Sequence, residues 1–99
     1  MTKTNERTEK IITLINGIHK YFNADHLYCD SICWAGQFAH GIQMIEIEIH
    51  WGDWKHTHQK MKHLLEQMYE VIKWDSETTE EDGSDCYSAR YTAYIVADV

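Results

Sequence analysis

Six carboxylates fall within eleven residues of this chain, Asp75, Glu77, Glu80, Glu81, Asp82 and Asp85, with no Lys or Arg among them. Taking them out of the formal net charge of −7 leaves −1, so almost the whole imbalance sits in one tract. An anionic block of this density attracts cations, basic proteins or metal ions and repels nucleic acid and anionic membrane. The partner it implies is a basic protein surface, such as a nucleic-acid-binding protein presents, contacted by these six side chains. Oxygen ligands for Ca²⁺ or Mg²⁺ are present as well. The tract lacks, however, the Asp-x-Asp-x-Asp-Gly core and closing Glu of an EF-hand loop, so a solvated hairpin tip is the simpler expectation.

Two further groupings have metal-ligand chemistry. In Glu46-x-Glu48-x-His50 a strand period of two would set three ligands on one face about 7 Å apart, within reach of a shared divalent ion. Polar alternation is equally what any half-exposed strand shows. His26, Cys29, Cys33 and His40 supply four zinc-type ligands within fifteen residues. If Leu27 to Ala35 is a strand, Cys29 and Cys33 share a face but stand about 13 Å apart, too far for one ion or a disulfide. No metal is therefore assigned, with His50, His26 and Cys29 kept as the candidates, and no cofactor is implied.

Among the seven histidines, His56, His58 and His63 fall in one helical segment, yet none of these pairs stands at i, i+4, so no chelating HExxH pattern exists. His58 lies at the edge of the apolar stripe and reads as a core-boundary residue. In the same segment Lys55, Lys60 and Lys62 precede Glu66 and Glu70, an order opposed to the helix dipole. Such an order marks either an indifferent exposed surface or a binding face. There is no glycine-rich phosphate loop and no G-x-S-x-G elbow, and Cys86 has no His partner visible in sequence, so catalysis is not expected.

These side chains must be carried by a single small domain, residues 1–99. Its 43% apolar content, with four Trp, six Tyr and two Phe, suffices for one core but not two. No apolar run reaches the ~18 to 20 residues of a membrane span, and the first twenty residues hold Lys3, Glu6, Arg7, Glu9 and Lys10 rather than a secretory pattern. Three cysteines are too few for a disulfide scaffold. The expected location is the cytoplasm.

Ile11, Leu14, Ile15, Ile18 and Phe22 recur at helical spacing, with Thr4 or Asn5 as cap and Asn23 near the end, which predicts the first helix. Leu27 to Ala35 is rich in strand formers, 36–41 is a glycine-flanked turn, and Ile45, Ile47, Ile49 and Trp51 alternate with Glu46, Glu48 and His50, which predicts a hairpin. Asp53 can cap a second helix with Trp54, Met61, Leu64, Leu65, Met68 and Ile72 on one stripe. An extended segment runs from Val71 to Thr79, the acidic tract makes a tip, and Cys86 to Val99 alternates as the last strand.

The order α-β-β-α-β-β predicts an α+β fold, a four-stranded, mainly antiparallel sheet with two helices packed on one face. Placing the third strand beside the first keeps every pair antiparallel. Glu46, Glu48, His50, Arg90, Thr92 and Tyr94 then share the uncovered face, where Glu46, Glu48 and Tyr94 can meet a partner. Tyr28 and Trp34 fit either register.

The segments Gly52-Asp53-Trp54-Lys55-His56 and Glu80-Glu81-Asp82-Gly83-Ser84-Asp85-Cys86-Tyr87-Ser88 resemble stretches of small phage and mobile-element proteins from gut-type bacteria. In size, charge and α+β character the chain is similar to anti-CRISPR proteins and other phage-encoded inhibitors, some of which set carboxylates where a nuclease expects phosphates. The resemblance implies a non-catalytic inhibitor that mimics nucleic acid on a basic host surface, and it carries over no functional residue. Two other readings stand beside it: a small divalent-metal-binding protein or metal-dependent enzyme, and a homodimeric structural or adaptor protein joined through a sheet face or edge.

Overall fold

A computed structural model describes residues 4–50, 54–80 and 87–99 of the chain, with side chains placed for 6–49, 57–77 and 89–99. Two helices and four strands follow in the expected order: α1 Thr4–Ala24, β1 Ser31–Ala39, β2 Ile42–His50, α2 Trp54–Met68, β3 Val71–Glu80 and β4 Tyr87–Val96. The fold is α+β, with a fully antiparallel four-stranded sheet.

The strand order is β1-β2-β4-β3, so the last strand, and not the third, docks against the first hairpin. This corrects the placement of the third strand beside the first, and the reason lies in the side chains. β2 and β4 have the strictest apolar alternation, and Ile45, Ile47, Ile49, Ala89, Tyr91, Ala93 and Ile95 are all buried. Central positions bury one whole side of a strand and favour such a pattern. β1 carries glycine and β3 carries charge, and both are pushed to the edges. Leu14, Ile18 and Phe22 of α1 and Met61 and Leu65 of α2 close the core from one side, as the helical spacing requires.

Two boundaries differ from expectation. β1 begins at Ser31 rather than Leu27 and runs to Ala39, so the hairpin turns at His40 and Gly41 alone. The register shifts between Trp34 and Gly36 and again between Gln37 and Ala39, and Gly36 takes φ 118°, a bulge conformation that side chains resist. Residues 27–30 instead form the exit from α1. The amide of Leu27 donates to Phe22 O at 2.9 Å and that of His26 to Asn23 O at 3.0 Å, the paired bonds of a Schellman cap, with His26 in the left-handed position at φ 57°. The apolar contact that completes such a cap joins the buried Phe22 and Leu27. Ile72 belongs to β3 and is 45% exposed, not on the α2 stripe, because the helix stops at Met68.

Candidate functional site: the uncovered sheet face

Register and alternation put Ser31, Cys33, Glu46, Glu48, Asp75, Glu77, Arg90 and Thr92 on the side of the sheet away from the helices. Glu48 and Glu77 flank Arg90 from the two neighbouring strands. The guanidinium has Nε 3.3 Å from Glu46 Oε1, Nη2 3.7 Å from Glu48 Oε1 and Nη1 4.0 Å from Glu77 Oε2. Ser31 Oγ donates to Glu48 Oε2 at 3.4 Å. One cation thus answers three carboxylates, and beside it a shallow recess of about 380 Å³ opens between Asp75, Ser76, Glu77, Arg90 and Thr92.

Toward the β1–β2 turn the same face becomes apolar and aromatic. Tyr94 is only 8% exposed, so this expected partner contact is largely covered by its own neighbours. Its hydroxyl donates to Asp75 Oδ2 at 2.7 Å, Phe38 stands edge-on with ring centroids 5.0 Å apart, and Lys73 Nζ lies 4.6 Å from the Tyr94 ring centroid and 3.8 Å from Asp75 Oδ1. The hydrogen bond to Asp75, then burial and the Asp75 charge, raise the Tyr94 pKa. Phe38 and Val96 are 54% and 42% exposed, and Ile42 and Met44 lie half-buried between them.

The acidic tract divides. Asp75, Glu77 and Glu80 belong to β3 rather than to a hairpin tip, since the β-branched Thr78 and Thr79 favour extension between them. The Glu80 side chain and the whole of Glu81, Asp82 and Asp85 lie outside the described residues, as do the His50 side chain, Cys86 and the Asp53 cap. The two described carboxylates, Asp75 and Glu77, are each approached by a cation of the chain itself.

The zinc-type grouping does not converge. His26 serves as the α1 cap, His40 turns the hairpin at the far end of β1, and among the described residues no three His, Cys, Asp or Glu could hold a metal ion. Burial and the nearby Asp30 push the Cys29 thiol up to about 11. Burial, with Glu46, raises the exposed Cys33, and Arg90 opposes the shift. Neither is poised as a thiolate ligand. In Glu46-x-Glu48 the position a divalent ion would take is held by Arg90.

His58 is a core-boundary residue, as the stripe implied. Its ring stacks on Tyr91 at 3.4 Å and 4° and meets Trp74 edge-on at 5.6 Å. His58 Nε2 and Tyr91 OH are buried without a hydrogen-bond partner. Burial, then the Lys62 charge, lowers the imidazole to about 4, so it is neutral at pH 7. The reversed charge order of α2 also acquires a local use: Lys62 approaches the Trp74 ring at 6.0 Å, and Trp74 Nε1 donates to Glu66 Oε1 at 3.1 Å. A wider groove of about 630 Å³ between α1 and the segment after β4 is lined by Glu6, Glu9, Lys10, Leu14, Tyr69 and Asp98 among others, with no His or Cys.

Sequence reasoning placed Arg90 on the right face but missed its role as the hub of the carboxylates, and it missed Phe38, Met44 and Lys73 altogether. The signal available for Phe38 was its position three residues before Gly41, at the end of a strand that enters a tight turn. No protein-family model, no curated protein and no solved structure matches the chain. No helix among the described residues is long and apolar enough to cross a membrane.

Proposed function

We propose that this chain is a non-catalytic protein-binding module whose uncovered sheet face receives a partner surface that is both basic and apolar. The observation that carries this is the division of that face: Glu46, Glu48 and Glu77 around a single Arg90, next to the exposed Phe38 and Val96. Carboxylates in excess steer a basic partner, and an aromatic patch beside them supplies the apolar contact that charge alone lacks. The acidic tract contributes to the same field, since β3 brings Asp75 and Glu77 to the edge of this face.

The narrower reading, a phage-type inhibitor that mimics nucleic acid on a host protein, draws its support from the carboxylates that follow β3, Glu80, Glu81, Asp82 and Asp85. The pairing of Asp75 with Lys73 and of Glu77 with Arg90 reduces what the first two can offer it. A homodimer whose sheet faces meet about an axis along the strands would stack the same Phe38 patches but also bring two acidic halves together.

The test is capture of a binding protein from lysate of the source cell at low and high salt, repeated with two variants. Glu46→Gln with Glu48→Gln, and separately Phe38→Ser, should each reduce retention of the same protein, and high salt should release it, because charges are screened within about 10 Å at 0.1 M salt. Replacement of Glu80, Glu81 and Asp82 by Ser separates the readings. Loss of capture with that triple variant alone favours the inhibitor reading, whereas retention that both face variants leave unchanged defeats the sheet-face module.

A further inference from the structure

The two sheet edges are not equivalent. β1 is broken twice by register shifts and carries Gly36 at φ 118°, features that deny a neighbouring strand a regular ladder. β3, the opposite edge, pairs with β4 without interruption from Lys73 to Glu80 and contains no proline. Alternate residues of such a strand turn their N–H and C=O groups away from the sheet, where an added strand would take them up. On the uncovered side of this edge stand Lys73, Asp75 and Glu77, with side chains 48%, 56% and 77% exposed, and on the helix side the half-buried Trp74 and the exposed Ser76.

We propose that β3 is a strand-addition site for an extended peptide segment in which Lys or Arg alternates with aliphatic residues. The spacing follows from the edge itself. Asp75 and Glu77 are two residues apart and share a face, so cations at every second position of the added strand lie beside them, and the intervening side chains fall next to Trp74 and Ser76. A second copy of the chain fits less well. A two-fold axis that keeps both uncovered faces on one side overlaps β3 most fully in two registers, which place Asp75 opposite either Asp75 or Glu77 of the copy, and the register that sets Lys73 opposite Asp75 pairs a shorter stretch of the strand. Like charges directly opposite destabilise a pair. The inference rests on the basic-partner reading above and adds to it how the partner is held: main-chain bonds supply affinity and the alternating charges supply selectivity.

The experiment uses the full chain, ¹⁵N-labelled, with three blocked peptides: alternating Lys-Val, alternating Glu-Val, and a Lys-Val peptide of equal charge interrupted by proline. The alternating Lys-Val peptide should slow hydrogen exchange at the outward amides of β3 by roughly tenfold, and the other two should not. Glu77→Lys should bind Lys-Val about fivefold more weakly and gain affinity for Glu-Val; Glu77→Gln, with a far-UV spectrum matching the parent, serves if the reversal unfolds the protein. Equal effects from the proline-interrupted peptide, or shift changes confined to Phe38, Met44 and Val96, overturn strand addition while leaving the basic-partner reading standing. Failure of both cationic peptides to bind overturns both. Slow β3 exchange in the protein alone, with a dimer mass by sedimentation, assigns the edge to a second copy and overturns the peptide assignment.

Discussion

Three carboxylates gather around Arg90, and Glu46 and Glu48 are only about 30% exposed, so the guanidinium offsets repulsion that water screens incompletely. Arg90→Gln should lower stability by about 1 kcal/mol at low ionic strength, and the deficit should shrink in 1 M salt, where screening falls to about 3 Å; urea midpoints at the two salt concentrations measure it. His58 gives a second prediction with a defined sign. Its folded pKa of about 4 lies below the ordinary 6.5, so between these values the unfolded chain binds more protons than the native one. The stability associated with the neutral ring is complete above pH 6.5 and is lost as pH falls toward 4. His58→Phe keeps a ring against Tyr91 and removes the titration, so the difference in urea midpoint between parent and variant should grow as pH drops through that window. A difference that stays constant from pH 7 to 4 would show that the imidazole protonates as readily in the folded protein as in the unfolded chain, and so is not held neutral by its burial. The boundary position of His58 was legible because helical spacing alone places it beside Met61 and Leu65. The Arg90 cluster was not, because it joins residues of β2, β3 and β4 whose relative register no local pattern states.

At the level of elements, all six were visible from hydrophobic period and turn residues, while strand order and the limits of β1 were not. The missing information was the Schellman cap after α1, which consumes Asp25 to Leu27 and delays the strand. Glycine is the residue such caps usually place in the left-handed conformation, and histidine there disguised it. His26→Gly removes the Cβ from that position and should stabilise the protein by about 0.5 to 1 kcal/mol, read from thermal or urea unfolding. Unchanged stability would mean that His26 makes a compensating contact. Gly36→Ala tests the bulge in the opposite direction. A side chain at φ 118° is strained, whereas its Cβ would only touch the flexible Met44 Cε at 3.4 Å, so the backbone alone sets an expected loss of about 1 to 2 kcal/mol by the same measurement. The strand order was hidden for a related reason: alternation identifies a face but not a neighbour, and only the comparison of how strict each alternation is singles out β2 and β4 as the central pair.

The molecule as a whole is elongated, with extents of 51 × 25 × 25 Å and a radius of gyration of 14.3 Å against about 13 Å for a compact chain of this length. One broad side is left without a covering layer, which makes charge the main barrier to self-association. That barrier is weakest near the isoelectric point of about 5.4. Light scattering should therefore rise most steeply near that pH, and Phe38→Ser should suppress the rise by removing the exposed aromatic that adheres once repulsion fades. His58→Phe should leave it, which separates surface adhesion from partial unfolding. A last consequence attaches to Gln43, 1% exposed within an otherwise apolar core. Its amide accepts from Trp34 Nε1 at 2.8 Å and donates to the Ala97 carbonyl at 3.1 Å, so β1, β2 and the tail beyond β4 meet at one side chain. A hairpin zipped two residues out of step would still hide its isoleucines, yet it would take Trp34 Nε1 away from the Gln43 oxygen and leave that buried acceptor unpaired. Gln43 thus adds a cost to near-miss alignments that oil-and-water sorting alone would accept.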